Sequence, residues 1–147
     1  MPEELAGYSV ATLRRRKRRK NPRPIGSPLD VCRLIRPLVR DAKQEHFYCL
    51  YLDSRNAVMD VTLVSLGSLD AAIVQPREVF KGAVAHSAAA LIACHNHPSG
   101  DPDPSPDDKE LTRRLVKCGD ILGIPLMDHV IVGDRFCTSY RNEWGKM

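Results

Sequence analysis

Apolar residues recur with two different periods between residues 28 and 147, and the two periods predict alternating helices and strands. Pro28 suits a first helical turn, and apolar residues follow it at helical spacing. Runs rich in β-branched and aromatic residues, bounded by turn residues, predict strands. The predicted helices are 28–43 with a bend near Pro37, one that opens at Pro76, and 106–122, and the predicted strands are 46–53, 57–66, 69–74, 89–95, 125–132 and 136–140. This alternation indicates an α/β fold in which helices cover a sheet.

A polar stretch from His95 to Asp108 follows one of the predicted strands. It holds two histidines, two serines and four acidic residues in fourteen positions, which is more polar chemistry than a plain turn needs. Residues i and i+2 of a strand face the same side, so His95 and His97 can point at one ion. Ser105 resembles a helix N-cap, with a proline directly after it and Asp108 three residues later. The stretch therefore predicts a strand end and a helix start that together carry metal ligands.

Two histidines and one aspartate are three ligands, the number typical of a catalytic zinc ion that keeps its fourth position for water. Such an ion lowers the pKa of its water to about 7, and a nearby carboxylate could accept the water's proton. A serine hydroxyl near the ion could stabilise a developing oxyanion. From these residues alone a simpler interpretation stays open, in which Ser105 and Asp108 only cap a helix and the histidines hydrogen-bond the loop backbone.

The length and composition of the chain favour one globular domain. Its 147 residues are 43% hydrophobic and 27% charged. No stretch approaches the roughly 20 apolar residues that span a bilayer, and the N-terminus lacks the apolar core of a secretory signal, so we expect a cytoplasmic protein with no membrane contact. Five scattered cysteines without a C-x-x-C pair predict neither a disulfide framework nor a four-cysteine zinc site.

Positive charge is concentrated at the N-terminus. Residues 1–28 carry a net charge of +6, whereas the rest of the chain carries −2. The segment 1–27 is therefore expected to be a basic, disordered tail, either simply solvated or attracted non-specifically to nucleic-acid phosphates. Its cations form one unbroken run: Arg14, Arg15, Arg16, Lys17, Arg18, Arg19 and Lys20.

The spacing of the polar stretch resembles the ligand motif of the JAMM (MPN+) metalloprotease family, in which H-x-H is followed by seven residues, Ser, two residues and Asp. His95, His97, Ser105 and Asp108 match every spacing. The sequence pattern H-N-H-P-S-G-D-P-x-P-S-x-x-D, with D-H-V-I-V-G downstream, is similar to that of the RadC branch of the family. The similarity continues through Q-E-H-F at 44–47, P-R-E-V-F at 76–80 and I-P-L-M-D-H at 124–129, and so covers about residues 28–147.

The resemblance implies a single mixed β-sheet flanked by helices, the JAB/MPN architecture, which is related to the cytidine deaminase fold. It also implies one Zn²⁺ per chain, bound by His95, His97 and Asp108 with water as the fourth ligand, and Ser105 as the oxyanion stabiliser. The family's distant glutamate, its general acid/base, falls on Glu45 at the head of the first core strand. The implied reaction is hydrolysis of a peptide or isopeptide bond in a protein or peptide substrate. Such a site requires the first core strand to lie beside the histidine strand.

Two acidic residues are rivals for these roles. Asp107 differs from Asp108 only by one position in the motif, and we expect it to face solvent at the helix start. Glu78 is the rival of Glu45, but it lies at a predicted helix start, where a carboxylate has an ordinary electrostatic reason to occur.

Four further residues outside the motif are candidates for supporting or structural roles. His129 and Asp128 could orient a zinc-binding histidine by accepting its second N–H, or His129 could simply be packed within its strand. His46 and His86 are expected to be structural or exposed, away from the site.

Three function hypotheses from different classes follow. The first is a zinc-dependent peptidase or isopeptidase. The second is a DNA-associated protein, or a metal-dependent nuclease, which would use the basic tail; full-length RadC relatives carry an N-terminal helix-hairpin-helix region of DNA-binding type, where this chain has only the tail, so a DNA-repair role is less expected. The third is a silent scaffold, since some relatives lack the ligands. Zinc deaminase chemistry is not expected, because H-x-E and P-C-x-x-C are absent.

Overall fold

The computed structural model describes residues 24–67 and 74–146. The cation run 14–20 and nearly all of the predicted strand 69–74 lie outside the described residues. The last residues of the expected tail are described, and they contact the turn after the first strand: Pro24 bridges Ala57, and the Ile25 N–H donates to the Asn56 carbonyl at 2.8 Å.

The described residues form one five-stranded sheet with three helices. The helices are α1 (Pro28–Val39), α2 (Pro76–Ala85) and α3 (Pro106–Leu122), and the strands are β1 (His46–Leu52), β2 (Val58–Leu66), β3 (Ala90–Asn96), β4 (Leu126–Val132) and β5 (Cys137–Ser139). The strand order is β2-β1-β3-β4-β5, in which only β3 and β4 are parallel. The expected α/β fold with a single mixed sheet is therefore confirmed.

Most element boundaries agree with the apolar pattern to within one residue, but the first helix is shorter than predicted. It ends at Val39 instead of residue 43, because Arg40 takes an extended ψ of 129° and Asp41 has a φ of +59°. Those two conformations turn the chain away from the helix axis before β1.

Alternation along the strands divides the core between the two faces of the sheet. On β1, Phe47, Cys49 and Tyr51 face one side, where they pack with residues of α2 and α3. Leu50 and Leu52 face the other side, which α1 covers. The same alternation on β3 puts Leu91 and Ala93 on the α3 side, so His95 at the next alternate position also points toward α3.

One cysteine pair corrects the expectation of reduced thiols. Cys32 of α1 and Cys137 of β5 form a disulfide, with Cα atoms 6.5 Å apart and a sequence separation of 105. The apolar context of each cysteine gave no sign of this pairing, because only the packing of α1 on the edge of the sheet brings them together. Cys49, Cys94 and Cys118 are free, and burial raises the pKa of the Cys49 and Cys94 thiols.

Within the described residues, none of the helices combines the length and the apolar character that crossing a membrane requires.

Candidate metal centre

Three donor atoms converge where β3 ends and α3 begins. His95 Nε2 lies 3.0 Å from His97 Nε2, and Asp108 lies 3.2 Å from His95 Nε2 through Oδ1 and 3.0 Å from His97 Nε2 through Oδ2. Strand β3 carries His95, His97 follows directly after the end of the strand, and the first turn of α3 carries the aspartate. These three residues could hold a metal ion, as the sequence predicted.

The donor spacing fits a tetrahedral zinc ion. Bonds of about 2.0–2.1 Å from zinc to nitrogen or oxygen place neighbouring donors of a tetrahedron roughly 3.3 Å apart. The three observed separations of 3.0–3.2 Å are close to that value. Borderline nitrogen donors with one carboxylate are also the donor set that zinc commonly takes.

Hydrogen bonds determine which nitrogen of each histidine is available to an ion. His97 Nδ1 lies 2.7 Å from the Asp101 carbonyl oxygen, which can only accept, so Nδ1 carries the hydrogen. Nε2 is then the nitrogen of His97 that can present a lone pair to the centre. The backbone of the loop after β3 therefore sets the tautomer of this ligand.

The tautomer of His95 is set by a longer chain of hydrogen bonds. The Thr112 hydroxyl donates to the Asp108 carbonyl at 2.7 Å, so Thr112 Oγ1 accepts from His129 Nδ1, also at 2.7 Å. His129 Nε2 is left as an acceptor, and it lies 2.7 Å from His95 Nδ1. His95 thus donates from Nδ1 and keeps the lone pair of Nε2 for the centre.

The electrostatics of the cluster follow from burial and from these contacts. Burial alone would lower the pKa of His97, but its bonds to Asp108 and Asp101 and the charges of Asp108 and Glu45 raise that pKa above its ordinary value. Burial would raise the pKa of Asp108, yet the bonds from His95 and His97 hold it well below the usual range. Burial and the neighbouring His95 keep the pKa of His129 well below normal, which suits an acceptor.

Asp108 is both a candidate ligand and part of a helix cap. The Ser105 N–H donates to Asp108 Oδ2 at 2.8 Å, and the Asp108 N–H donates to Ser105 Oγ at 3.0 Å. The helix cap that the simpler interpretation expects is therefore present, and it fixes the carboxylate beside the two histidines, where the three residues could hold a metal ion. Ser105 Oγ keeps its own hydrogen to donate, because no described residue accepts it in a hydrogen bond that the structure records.

Glu45 lies at the edge of the same centre. In the β1–β3 pair Phe47 is opposite His95, with their rings stacked at 5.8 Å, and Glu45 lies two residues before Phe47, directly ahead of β1. Side chains two positions apart along a strand share a face, which puts Glu45 on the face of Phe47. The charge of Glu45 contributes to the raised pKa of His97. The requirement that the first core strand lie beside the histidine strand is met.

The rival acids lie elsewhere. Asp107 is exposed, whereas Asp108 beside it is 3% exposed. Glu78 sits on α2 and forms an exposed ion pair with Lys81 at 3.7 Å.

The other histidines and Asp128 are also assigned by their contacts. His46 Nδ1 binds the Gln44 carbonyl, and His86 pairs with Asp60 at 3.0 Å, so neither reaches the cluster. His129 is both packed in its strand and bonded to His95, and thus combines its two expected roles. The Asp128 carboxylate accepts the backbone N–H of His129 and not its ring, and it also accepts from Ser139 Oγ and the Arg141 N–H, which fastens the C-terminal segment to β4.

Sequence reasoning missed two residues that support the centre. Thr112 lies one helical turn after Asp108, and this i+4 spacing was the only available signal. Trp144 is 2% exposed and packs edge-on against His129 at 5.4 Å between ring centroids, but it lies in a C-terminal turn that no motif marked.

The loop between β3 and α3 depends on one glycine. Gly100 has a φ of +86°, and a Cβ there would collide with the Asp134 carboxylate. Its carbonyl accepts the Asp134 N–H at 3.0 Å, and its N–H donates to the His97 carbonyl at 2.9 Å. The glycine therefore lets the loop pack closely beside the candidate ligand His97.

Comparison with known proteins identifies the family of this chain. Residues 25–145 match the model of the RadC-like JAB domain. The chain is 50% identical over 121 residues to a UPF0758 protein of Methanosarcina mazei, and 50% identical over 119 residues to UPF0758 protein YsxA of Bacillus subtilis. A UPF0758 protein of Halalkalibacterium halodurans is 51% identical over 119 residues.

These alignments cover 81–82% of this chain but only 51–53% of the relatives. The chain thus spans about half the length of the curated relatives that it matches. The domain match and the identities, together with the fold and the His-His-Asp cluster, lead to one conclusion: the chain belongs to the RadC-like JAB family.

Proposed function

We propose that this protein is a zinc-dependent hydrolase that cleaves a peptide or isopeptide bond in a protein or peptide substrate. The observation that carries the proposal is the convergence of His95, His97 and Asp108 within 3.0–3.2 Å, with Glu45 close enough for its charge to raise the pKa of His97. Three ligands leave an open coordination position, as hydrolytic zinc sites require. Membership of the JAB family supports the same reaction class.

When bound, zinc supplies Lewis acidity, which activates water near neutral pH and polarises a carbonyl group. The chain's own residues would carry the remaining steps. Glu45 accepts a proton from the attacking water at its carboxylate and delivers it to the leaving amine. Ser105 Oγ, held by the Asp108 N–H, donates its hydrogen to the developing oxyanion.

The proposal is tested by incubating the zinc-loaded chain with a proteome-derived peptide library and a di-ubiquitin panel, and by identifying new termini by mass spectrometry. We expect cleavage by the parent and loss of cleavage in Glu45→Gln, because the amide cannot accept the water's proton. Zinc content should stay unchanged in that variant, since Glu45 is not among the three ligands.

Glu78→Gln is the matched control, because it makes the same change on α2 outside the centre. It should cleave like the parent. Full cleavage by Glu45→Gln, or no cleavage of any probe by the zinc-loaded parent, would contradict the proposed function.

A further inference from the structure

Asn96 lies between the two candidate histidine ligands on β3, yet its side chain does not join them. It is 4% exposed, and its amide makes two hydrogen bonds to the backbone. Oδ1 accepts the His46 N–H at 2.6 Å, and Nδ2 donates to the Gln44 carbonyl at 3.2 Å. These two backbone groups are the immediate neighbours of Glu45 on either side.

The position of these bonds explains why a side chain is needed there. The β1–β3 pairing ends at Phe47 and His95. The backbone of residues 44–46, where the chain enters β1, therefore lies beyond the last pair of the two strands. The side-chain amide of Asn96 offers an acceptor oxygen and a donor NH₂ group, as a backbone peptide unit offers C=O and N–H. Asn96 thereby continues the hydrogen bonding between β1 and β3 beyond their last backbone pair. On the opposite side the Glu45 carbonyl accepts the Gly67 N–H at 3.0 Å.

The backbone around Glu45 is therefore held from both sides. Asn96 binds the residues before and after Glu45, and Gly67, directly after β2, binds the Glu45 carbonyl. With the backbone fixed, alternation directs the Glu45 side chain to the face of Phe47 and the histidines. A general acid/base must be held within a fraction of an ångström of its working position, and a displacement of 1 Å can lower a rate about 100-fold.

We propose that Asn96 is a positioning residue that holds Glu45 at the metal centre. This inference rests on the proposed function in one respect, namely that Glu45 moves the proton. Aspartate in place of Asn96 keeps the acceptor for the His46 N–H but sets a carboxylate oxygen against the Gln44 carbonyl. Alanine removes both bonds and leaves the two histidines unchanged.

The test measures zinc content, kcat and KM for the zinc-loaded full chain with the fastest-cleaved peptide of the library. Asn96→Ala should retain parent zinc content and a KM within about twofold, while kcat falls about 10- to 100-fold. Asn96→Asp should have a kcat between those of the parent and Asn96→Ala, and it replaces Asn96→Ala as the deciding variant if the alanine variant does not fold. A parent-like kcat in the variants that fold overturns the inference.

A double-mutant comparison separates positioning from general loosening of the fold. If Asn96 acts through Glu45, Asn96→Ala should change the residual rate of Glu45→Gln by less than about twofold. An equal fractional loss in both backgrounds would show a merely structural role and overturn the inference.

Amide hydrogen exchange gives a readout that needs no turnover. In Asn96→Ala the His46 amide should exchange at least about 10-fold faster than in the parent, whereas Asn96→Asp keeps its acceptor and should protect it as the parent does. The His97 amide, which bonds the Val132 carbonyl at 3.1 Å, is the internal reference and should not change. If the parent cleaves no peptide, the proposed function fails and exchange alone decides: unchanged protection of His46 in Asn96→Ala overturns the role of Asn96.

Discussion

At the scale of single residues, the centre depends on which nitrogen of each histidine carries a hydrogen. The i, i+2 spacing in sequence correctly predicted that His95 and His97 share a face. It could not predict the groups that set their tautomers, because the Asp101 carbonyl and the His129 ring reach the histidines only through the folded loop and the neighbouring strand. Helix α3 provides two residues of this arrangement: Asp108 belongs to the cluster, and Thr112 accepts a hydrogen bond from His129.

Replacing His129 tests this chain of hydrogen bonds. His129→Phe removes the acceptor for His95 Nδ1 while it keeps an aromatic ring in the buried site. We expect zinc affinity, measured by chelator competition, to fall about 10- to 100-fold, and Thr112→Val to lower it less. His86→Phe, which changes a histidine away from the centre, should leave affinity unchanged. Parent affinity in His129→Phe would show that His95 needs no such partner.

The pH dependence of zinc binding follows from the raised pKa of His97. In the metal-free protein this raised pKa means that His97 holds its second proton to a higher pH than an ordinary histidine, whose pKa is about 6.5. Zinc must displace that proton, so affinity should be full above the pKa of His97 and fall as the pH drops through it. Chelator competition from pH 8 to pH 5.5 measures this decline. Affinity that stays constant over the whole range would contradict the assignment of His97 as a ligand.

At the scale of elements, β3 and α3 supply the three candidate ligands, and both elements could be recognised from the sequence. The apolar run before His95 marked the strand, and the N-cap signals at Ser105 marked the helix, whose observed bounds equal the predicted ones. Which strands are neighbours was less accessible, because the pairing of β1 with β3 joins residues 38 to 48 positions apart in sequence. Only the family resemblance suggested that Glu45 would lie beside the histidines.

The cap of α3 is expected to stabilise the fold independently of metal. Ser105→Ala removes the oxygen that accepts the Asp108 N–H, so the free energy of unfolding of the metal-free protein should fall by about 1 kcal/mol. Urea denaturation measures the change. Ser99→Ala, in the loop before the cap, is the control and should cost less, because Ser99 Oγ accepts only a long bond of 3.3 Å from the Asp101 N–H. Equal stability of Ser105→Ala and the parent would argue against the cap.

At the scale of the whole molecule, the sheet separates two layers with different roles. The face toward α2 and α3 carries the candidate metal centre, whereas α1 covers the other face and is tied to β5 by the disulfide between Cys32 and Cys137. The Arg36 guanidinium donates to both sulfur atoms at 3.2 and 3.4 Å, and to the Asp134 carbonyl at 2.8 Å. None of these contacts was predicted from the sequence, because no local pattern joins positions so far apart.

The disulfide should contribute to global stability. A crosslink across 105 residues restricts the unfolded chain, so Cys32→Ser should lower the free energy of unfolding by about 2–4 kcal/mol without reductant. Dithiothreitol should bring the parent to the level of the variant and leave the variant unchanged. Cys118→Ser, at a free and half-buried cysteine, is the control and should behave like the parent. A parent whose denaturation is insensitive to reductant would contradict this contribution.

The central claim is that one zinc site is built from His95, His97 and Asp108, and metal analysis of the purified, zinc-reconstituted chain tests it most directly. We predict about one zinc per chain in the parent and in Asp107→Asn, whose exposed side chain adjoins the site without belonging to it. We predict that His95→Ala and Asp108→Ala each lose the metal. A parent without zinc, or a His95→Ala variant that retains one zinc per chain, would contradict the claim.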